Sequence, residues 1–205
     1  MRERTQRLTP DSNHFLTASS DGTLKLWRPL DEEEDRTFPG PDDRVAGVAV
    51  TPDGRQLWVT NRAEDTVSVI KTGSRSPIAK LEAGSFPIRA ETAAHGRVVL
   101  VTNARGNDLS VYSTSELKEI GRVSFEAVSK DTEGRLFSDR FGTSSVPIGI
   151  EVVDDERRAY IAHANADDIS IIDLEQWKIV GVLSAGREPD GMGYSPLVPG
   201  TGSEE

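Results

Sequence analysis

Val45-Ala46-Gly47-Val48-Ala49-Val50-Thr51-Pro52-Asp53-Gly54 leads into Gln56-Leu57-Trp58-Val59-Thr60-Asn61, and Thr66-Val67-Ser68-Val69-Ile70 follows. Three short runs rich in β-branched and aromatic residues are separated by turn formers, Pro52-Asp53-Gly54 at the first break and an Asn/Asp cluster at the second. Such runs bounded by such residues read as antiparallel strands. A shorter fourth strand, Ile78 to Leu81, comes next, then the small-residue turn Ala83-Gly84 and Pro87. The unit is therefore a four-stranded meander.

The same unit recurs on both sides. Downstream, Val98-Val99-Leu100-Val101-Thr102-Asn103 precedes Asp108-Leu109-Ser110-Val111-Tyr112, and Ala159-Tyr160-Ile161-Ala162-His163 precedes Asp168-Ile169-Ser170-Ile171-Ile172-Asp173. Upstream, Phe15-Leu16-Thr17-Ala18 precedes Thr23-Leu24-Lys25-Leu26-Trp27. Leu24 to Val67 is about 43 residues and Val67 to Leu109 about 42, a spacing that matches the blade of a β-propeller. Leu109 to Ile169 is about 60, so the third interval carries an insertion, which its polar composition places at about 126–142. One meander cannot bury both faces alone, so the copies must stack face to face. The expected fold is all-β, a propeller of about four four-stranded antiparallel blades, with a short helix admitted only in the insertion. Residues 1–8 read as a polar N-terminal segment, 9–197 as the repeats and 198–205 as a flexible tail.

Thr51-Pro52-Asp53-Gly54, Trp58-Val59-Thr60-Asn61, Thr66-Val67-Ser68-Val69-Ile70 and Pro189-Asp190-Gly191-Met192 make the chain resemble the YVTN family of β-propeller repeats, and more broadly the YncE-like and lactonase-type seven-bladed propellers. The first copy leans toward the WD40 pattern through Asp21-Gly22-Thr23 and Leu24-Lys25-Leu26-Trp27, with Arg28 where that pattern has Asp. The resemblance implies a propeller whose role is binding or scaffolding, with a lactonase-type hydrolase as the alternative. Seven blades need about 300 residues at this period, so two arrangements stay open. In one the ring closes on itself, Asp190 to Pro196 pairing as innermost strand beside Phe15 to Ala18. In the other the chain is an open part of a larger ring, with residues 3–8 in that place. Edge protection predicts the first. A closed ring would be a monomer, and an incomplete one a dimer.

The formal net charge of -10 repels phosphate backbones and anionic membranes. Lys and Arg look scattered along the chain, so nucleic acid is an unexpected partner, and an unknown protein or small molecule is expected instead. With no Cys there is no disulfide, thiolate nucleophile or thiolate metal site. Met1 to Pro10 lacks the apolar stretch of a signal peptide, and no run is long enough to span a bilayer. The cytoplasm is the expected compartment, or the periplasm or exterior if the natural N-terminus lies upstream.

No nucleophile–base–orienter grouping stands out, so no catalytic residue is assigned. The loops expected on one propeller face carry Asp65, Asp108, Asp167, Asp168 and Asp190, and His163 ends a second strand where other copies have Asn61 and Asn103. These six are the candidate ligand-binding residues. Converging carboxylates suit Ca²⁺, but the compact spacing of a dedicated loop is absent and Asp is a common turn residue. No metal or other cofactor is assigned. The acidic run Asp31-Glu32-Glu33-Glu34-Asp35 reads as a solvated turn between strands. The insertion, with Phe137, Arg140 and Phe141, is the loop most expected to carry function.

Overall fold

Short apolar runs punctuated by turn residues fold locally as read. The computed structural model describes residues 4–8, 15–19, 23–28, 33–39, 45–74, 76–126, 135, 137–153 and 157–193. Blade 1 comprises β1 (Arg4–Leu8), β2 (Phe15–Ser19), β3 (Thr23–Arg28) and β4 (Glu33–Pro39). Blade 2 comprises β5 (Val45–Val50), β6 (Gln56–Asn61), β7 (Thr66–Lys71) and β8 (Pro77–Glu82). Blade 3 comprises β9 (Pro87–Ala93), β10 (Val98–Asn103), β11 (Asp108–Ser113) and β12 (Lys118–Ser124). Blade 4 comprises β13 (Pro147–Val152), β14 (Arg158–His163), β15 (Asp168–Asp173) and β16 (Lys178–Ser184). Each blade is a four-stranded antiparallel meander in sequence order. Among the described residues the one helix is α1 (Ser138–Phe141), inside the insertion; none is long and apolar enough to cross a membrane.

Period-2 alternation gives each middle strand two apolar faces, and each face packs on a different neighbour. Leu57 and Val59 of β6 join Leu16 and Leu24 between blades 1 and 2. Trp58 between them points the other way, meeting Val99, Val101 and Tyr112 of blade 3. Leu100, Leu109 and Val111 then face Ile150, Ile161 and Ile172 of blade 4. The core is thus three apolar layers between four sheets. The inner strands of consecutive blades run beside one another, β1 by β5, β5 by β9 and β9 by β13, and the sheets do not close into a ring.

Three expectations change here. The C-terminal segment does not pair with β2. That edge is taken by β1, in register from Arg4 opposite Ser19 to Leu8 opposite Phe15. A hairpin with a short connection satisfies the same backbone groups at a smaller loop-closure cost than a strand returning from the far end of the chain. The polar segment 1–8 thus contributes a strand to blade 1, and residues 194–205, which include part of the expected closing strand, lie outside the described residues. Second, the acidic run is not wholly a turn, because Glu33, Glu34 and Asp35 begin β4, with Glu33 opposite Arg28 and Glu34 opposite Trp27. An outermost edge strand tolerates charge. Third, Trp58, Leu100 and Tyr160 share one slot, but only the first two are fully buried. Tyr160 is half-buried, with Ile169 and Ile171, since among the described residues no sheet packs on that side of blade 4.

Inner strands approach closely enough to demand glycine. A Cβ built on Gly47 falls 2.3 Å from the Ile88 carbonyl oxygen and 3.0 Å from Arg89 Cα, both backbone atoms of β9. The Gly47 N–H donates to Thr60 Oγ1 at 2.6 Å, and that hydroxyl donates on to the Ile88 carbonyl at 3.1 Å. Gly149 repeats the contact two blades later, its Cβ position lying 2.5 Å from the Asp190 carbonyl oxygen. The segment after blade 4 therefore runs beside β13. Gly47→Ala should cost about 1–3 kcal/mol through backbone overpacking, read as a lowered urea midpoint. An unchanged midpoint would mean the inner strands have room to part.

Candidate binding site on the loop face

The turns between second and third strands sit at one end of the arc, together with the segments that lead into the inner strands. Two repeated polar devices build this end. In the first, the last residue of the second strand bonds the serine in the middle of the third. Asn61 Nδ2 donates to Ser68 Oγ at 2.9 Å, and Asn103 Nδ2 to Ser110 Oγ at 2.9 Å. His163 holds the equivalent place in blade 4, with Nε2 at 2.7 Å from Ser170 Oγ and Nδ1 at 2.8 Å from Ser145 Oγ. The Ser145 hydroxyl donates to Asn107 Oδ1 at 2.6 Å, so its proton is committed. His163 is then the Nδ1–H tautomer, donating to Ser145 and accepting from Ser170. The ring is fully buried, edge-on to Phe125 at 4.7 Å. Burial pulls its pKa down to about 4, against the opposing charge of Asp168. His163 is a neutral structural group.

The second device is a latch between blades. Asp65, Asn107 and Asp167 each close their turn with positive φ, at 54°, 55° and 57°. The side chain of each caps a backbone N–H in the next inner lead-in. Phe86 N–H donates to Asp65 Oδ1 at 2.7 Å, Ser145 N–H to Asn107 Oδ1 at 3.0 Å, and Glu188 N–H to Asp167 Oδ1 at 2.9 Å. A hydrogen bond to a charged acceptor contributes about 1.5–3 kcal/mol. The Glu188 N–H, followed by the Arg135 guanidinium, holds the Asp167 carboxyl below its ordinary pKa.

The structure thus disperses the sequence candidates. Asp65 and Asp167 are latches, His163 and Asp168 are buried, and Asp108 accepts from Asn103 Nδ2 at 2.6 Å and pairs with Arg122 at 3.3 Å. Asp190 lines a hollow, where it faces Arg89 at 3.6 Å. Among the described residues no group of three or more His, Asp or Glu converges as a metal cage would require.

That hollow, of about 190 Å³, is a concave feature of the loop face. Its apolar floor is Ile88, Val146 and Ile148, and its walls are Phe86, Phe137 and Phe141. Phe86 meets Phe141 edge to face at 5.1 Å, and Phe137 lies 6.1 Å from Phe141. Arginines gather over these rings. Arg62, Arg105 and Arg140 stand 5.2, 5.1 and 4.8 Å from the Phe86 centroid, and Arg105 and Arg140 also lie over Phe141 at 6.0 and 5.3 Å. Three cations centred on one ring stand within roughly 10 Å of one another, where each pair repels by about 0.4 kcal/mol in water and more in a low-dielectric hollow. Ring quadrupoles offset part of this. Among the described residues neither Arg105 nor Arg140 has a carboxylate within ion-pair distance. The scattered look of the basic residues is therefore corrected: they converge locally on an otherwise acidic chain. The signal lay in Asn61-Arg62, Asn103-Ala104-Arg105 and Arg140-Phe141, basic residues at equivalent loops and in the insertion.

The family model for the WD domain, G-beta repeat (WD40) matches residues 5–28, which span β1 to β3. The chain is 32% identical over 84 residues to an uncharacterized WD repeat-containing protein of Schizosaccharomyces pombe, covering 37% of this chain and 18% of that one. Among solved structures it is similar to Kuenenia stuttgartiensis hydrazine synthase, with a TM-score of 0.71 at 16% identity, over 87% of this chain and 47% of that chain. The fold is a β-propeller arc. At that identity the structural likeness speaks for the fold alone. The chain spans about half the length of the solved chain and under a fifth of the curated relative. Its first blade carries the WD40 match, in keeping with Leu24-Lys25-Leu26-Trp27.

Proposed function

We propose that this chain is a non-catalytic propeller scaffold of the YVTN/YncE-like type that holds a protein partner at the arginine–phenylalanine hollow. The observation that carries the reading is the convergence of Arg62, Arg105 and Arg140 on Phe86 beside an apolar floor. Pockets that recognise ligands combine such a floor with a few convergent polar groups. Proteins built of WD40 repeats generally bind proteins, and the first blade carries that match. The lactonase-type alternative needs a base to activate water. The histidine best placed by sequence, His163, has both ring nitrogens engaged and is buried.

The test compares the full chain with a Phe86→Ala, Arg140→Ala double variant. Proteins co-purifying with each are quantified by mass spectrometry, and both chains are assayed against a panel of lactones. A partner recovered with the parent and lost with the variant, at unchanged circular dichroism, supports the proposal. Equal recovery with both would put the binding surface elsewhere, and saturable lactone turnover would replace the scaffold with an enzyme.

A further inference from the structure

Resting on the reading of the hollow as the binding site, we infer that its ligand is an anionic side chain, carboxylate or phosphoryl, presented by a peptide segment of the partner. The donors are Arg140, which lines the hollow, and Arg105, which lies over the Phe86 and Phe141 rings at its edge; among the described residues neither has an ion-pair partner. A guanidinium lying over a ring keeps N–H groups at its edge for a carboxylate or phosphoryl fork. Both arginines are exposed, so those donors reach solvent. Asp190, the acidic group lining the hollow, is matched to Arg89 at 3.6 Å and leaves this pair without its counter-charge. An incoming anion also relieves the mutual repulsion of Arg105 and Arg140, which lie over the same two rings.

The geometry separates a peptide from a nucleic acid. Single-stranded nucleic acid is held by bases stacked on open aromatic faces along a basic track. Here three guanidiniums crowd Phe86. The cations form one cluster on a chain of net charge -10, which repels an extended polyanion. A hollow of about 190 Å³ fits one side chain and its neighbour's apolar stem. Phe137 and Phe141 supply the apolar wall for that stem.

The experiment selects a library of random short peptides on the full chain and measures the enriched sequences in solution. Acidic residues should be enriched at one position. Replacing that residue by glutamine should weaken binding at least about tenfold, and added salt should weaken the acidic peptide but not the glutamine one. Phosphoserine at the same position reports whether a phosphoryl or a carboxylate is preferred, and either result supports the inference. Arg105→Gln with Arg140→Gln should abolish the acidic preference at an unchanged melting temperature, and the double lysine variant should restore part of it. Neutral or basic enrichment that is lost in Phe86→Ala would overturn the anion while leaving the hollow as the site. Acidic enrichment indifferent to the hollow variants would overturn the site itself. Tighter binding of a thymidine oligonucleotide than of any peptide, lost with the arginine pair, would overturn the peptide.

Discussion

Replacing Trp58 by alanine is expected to lower the free energy of unfolding by about 3–5 kcal/mol. Trp58 is fully buried between blades 2 and 3, 5.8 Å from the Tyr112 ring, and its indole N–H donates to Gln56 Oε1 at 3.0 Å. Truncation empties the largest buried slot in that layer and leaves Gln56 without this donor. The layer cannot collapse easily, because its walls are two sheets whose inner strands already touch at Gly47. Urea unfolding followed by circular dichroism reads the loss. Tyr160 holds the equivalent slot, where among the described residues no sheet covers it, so Tyr160→Ala should cost less than half as much. A Trp58 loss below about 1 kcal/mol would place the residue at a surface instead.

Stability should also fall as the pH drops from 6.5 toward 4, by up to about 3 kcal/mol in total. The group responsible is His163, whose pKa moves from its ordinary 6.5 to about 4 by burial. Above 6.5 it is neutral in both states and contributes no slope. Between 6.5 and 4 the unfolded chain takes up a proton that the folded chain refuses, so acidification favours unfolding. Below the folded value both states are protonated and the slope ends. Asp53, Asp167 and Asp173, whose pKa values are lowered, lose their own stabilisation only as the pH falls below the ordinary carboxylate range. Urea midpoints measured between pH 6.5 and 5 therefore isolate the histidine. His163→Asn installs the residue that blades 2 and 3 use against Ser68 and Ser110, and it should flatten that interval. An equal slope in the variant would assign the effect to another group.

Much of the candidate site escaped the sequence for one reason of scale. Arg62 and Arg105 lie about one blade apart, and Arg140 sits in an insertion of its own, so each reads alone as a solvated loop residue. Stacking blades about an axis brings equivalent turns to one end of the arc, and that operation joins them around Phe86. The carboxylates were visible on the same loops but had local duties that the chain alone does not display. Asp65 and Asp167 reach backbone N–H groups about twenty residues ahead, across a blade boundary.

What the sequence determined by itself was the meander and its repetition. Strand alternation, Pro52-Asp53-Gly54 and the strand-ending Asn61, Asn103 and His163 act within a few residues of themselves, where backbone sterics and turn hydrogen bonds decide the outcome. The burial of Trp58 and Leu100 followed from that alternation. Only the tertiary structure decided whether the ring closes, which strand holds the inner edge of blade 1, and where charge gathers. Pairing of β1 with β2 rather than closure by the chain's far end is a competition between two edges offering the same backbone groups, settled by loop entropy and packing rather than by any local motif. The half-buried Tyr160 and the arginines over Phe86 are likewise set by which blade stands beside which, a long-range arrangement that single residues do not encode.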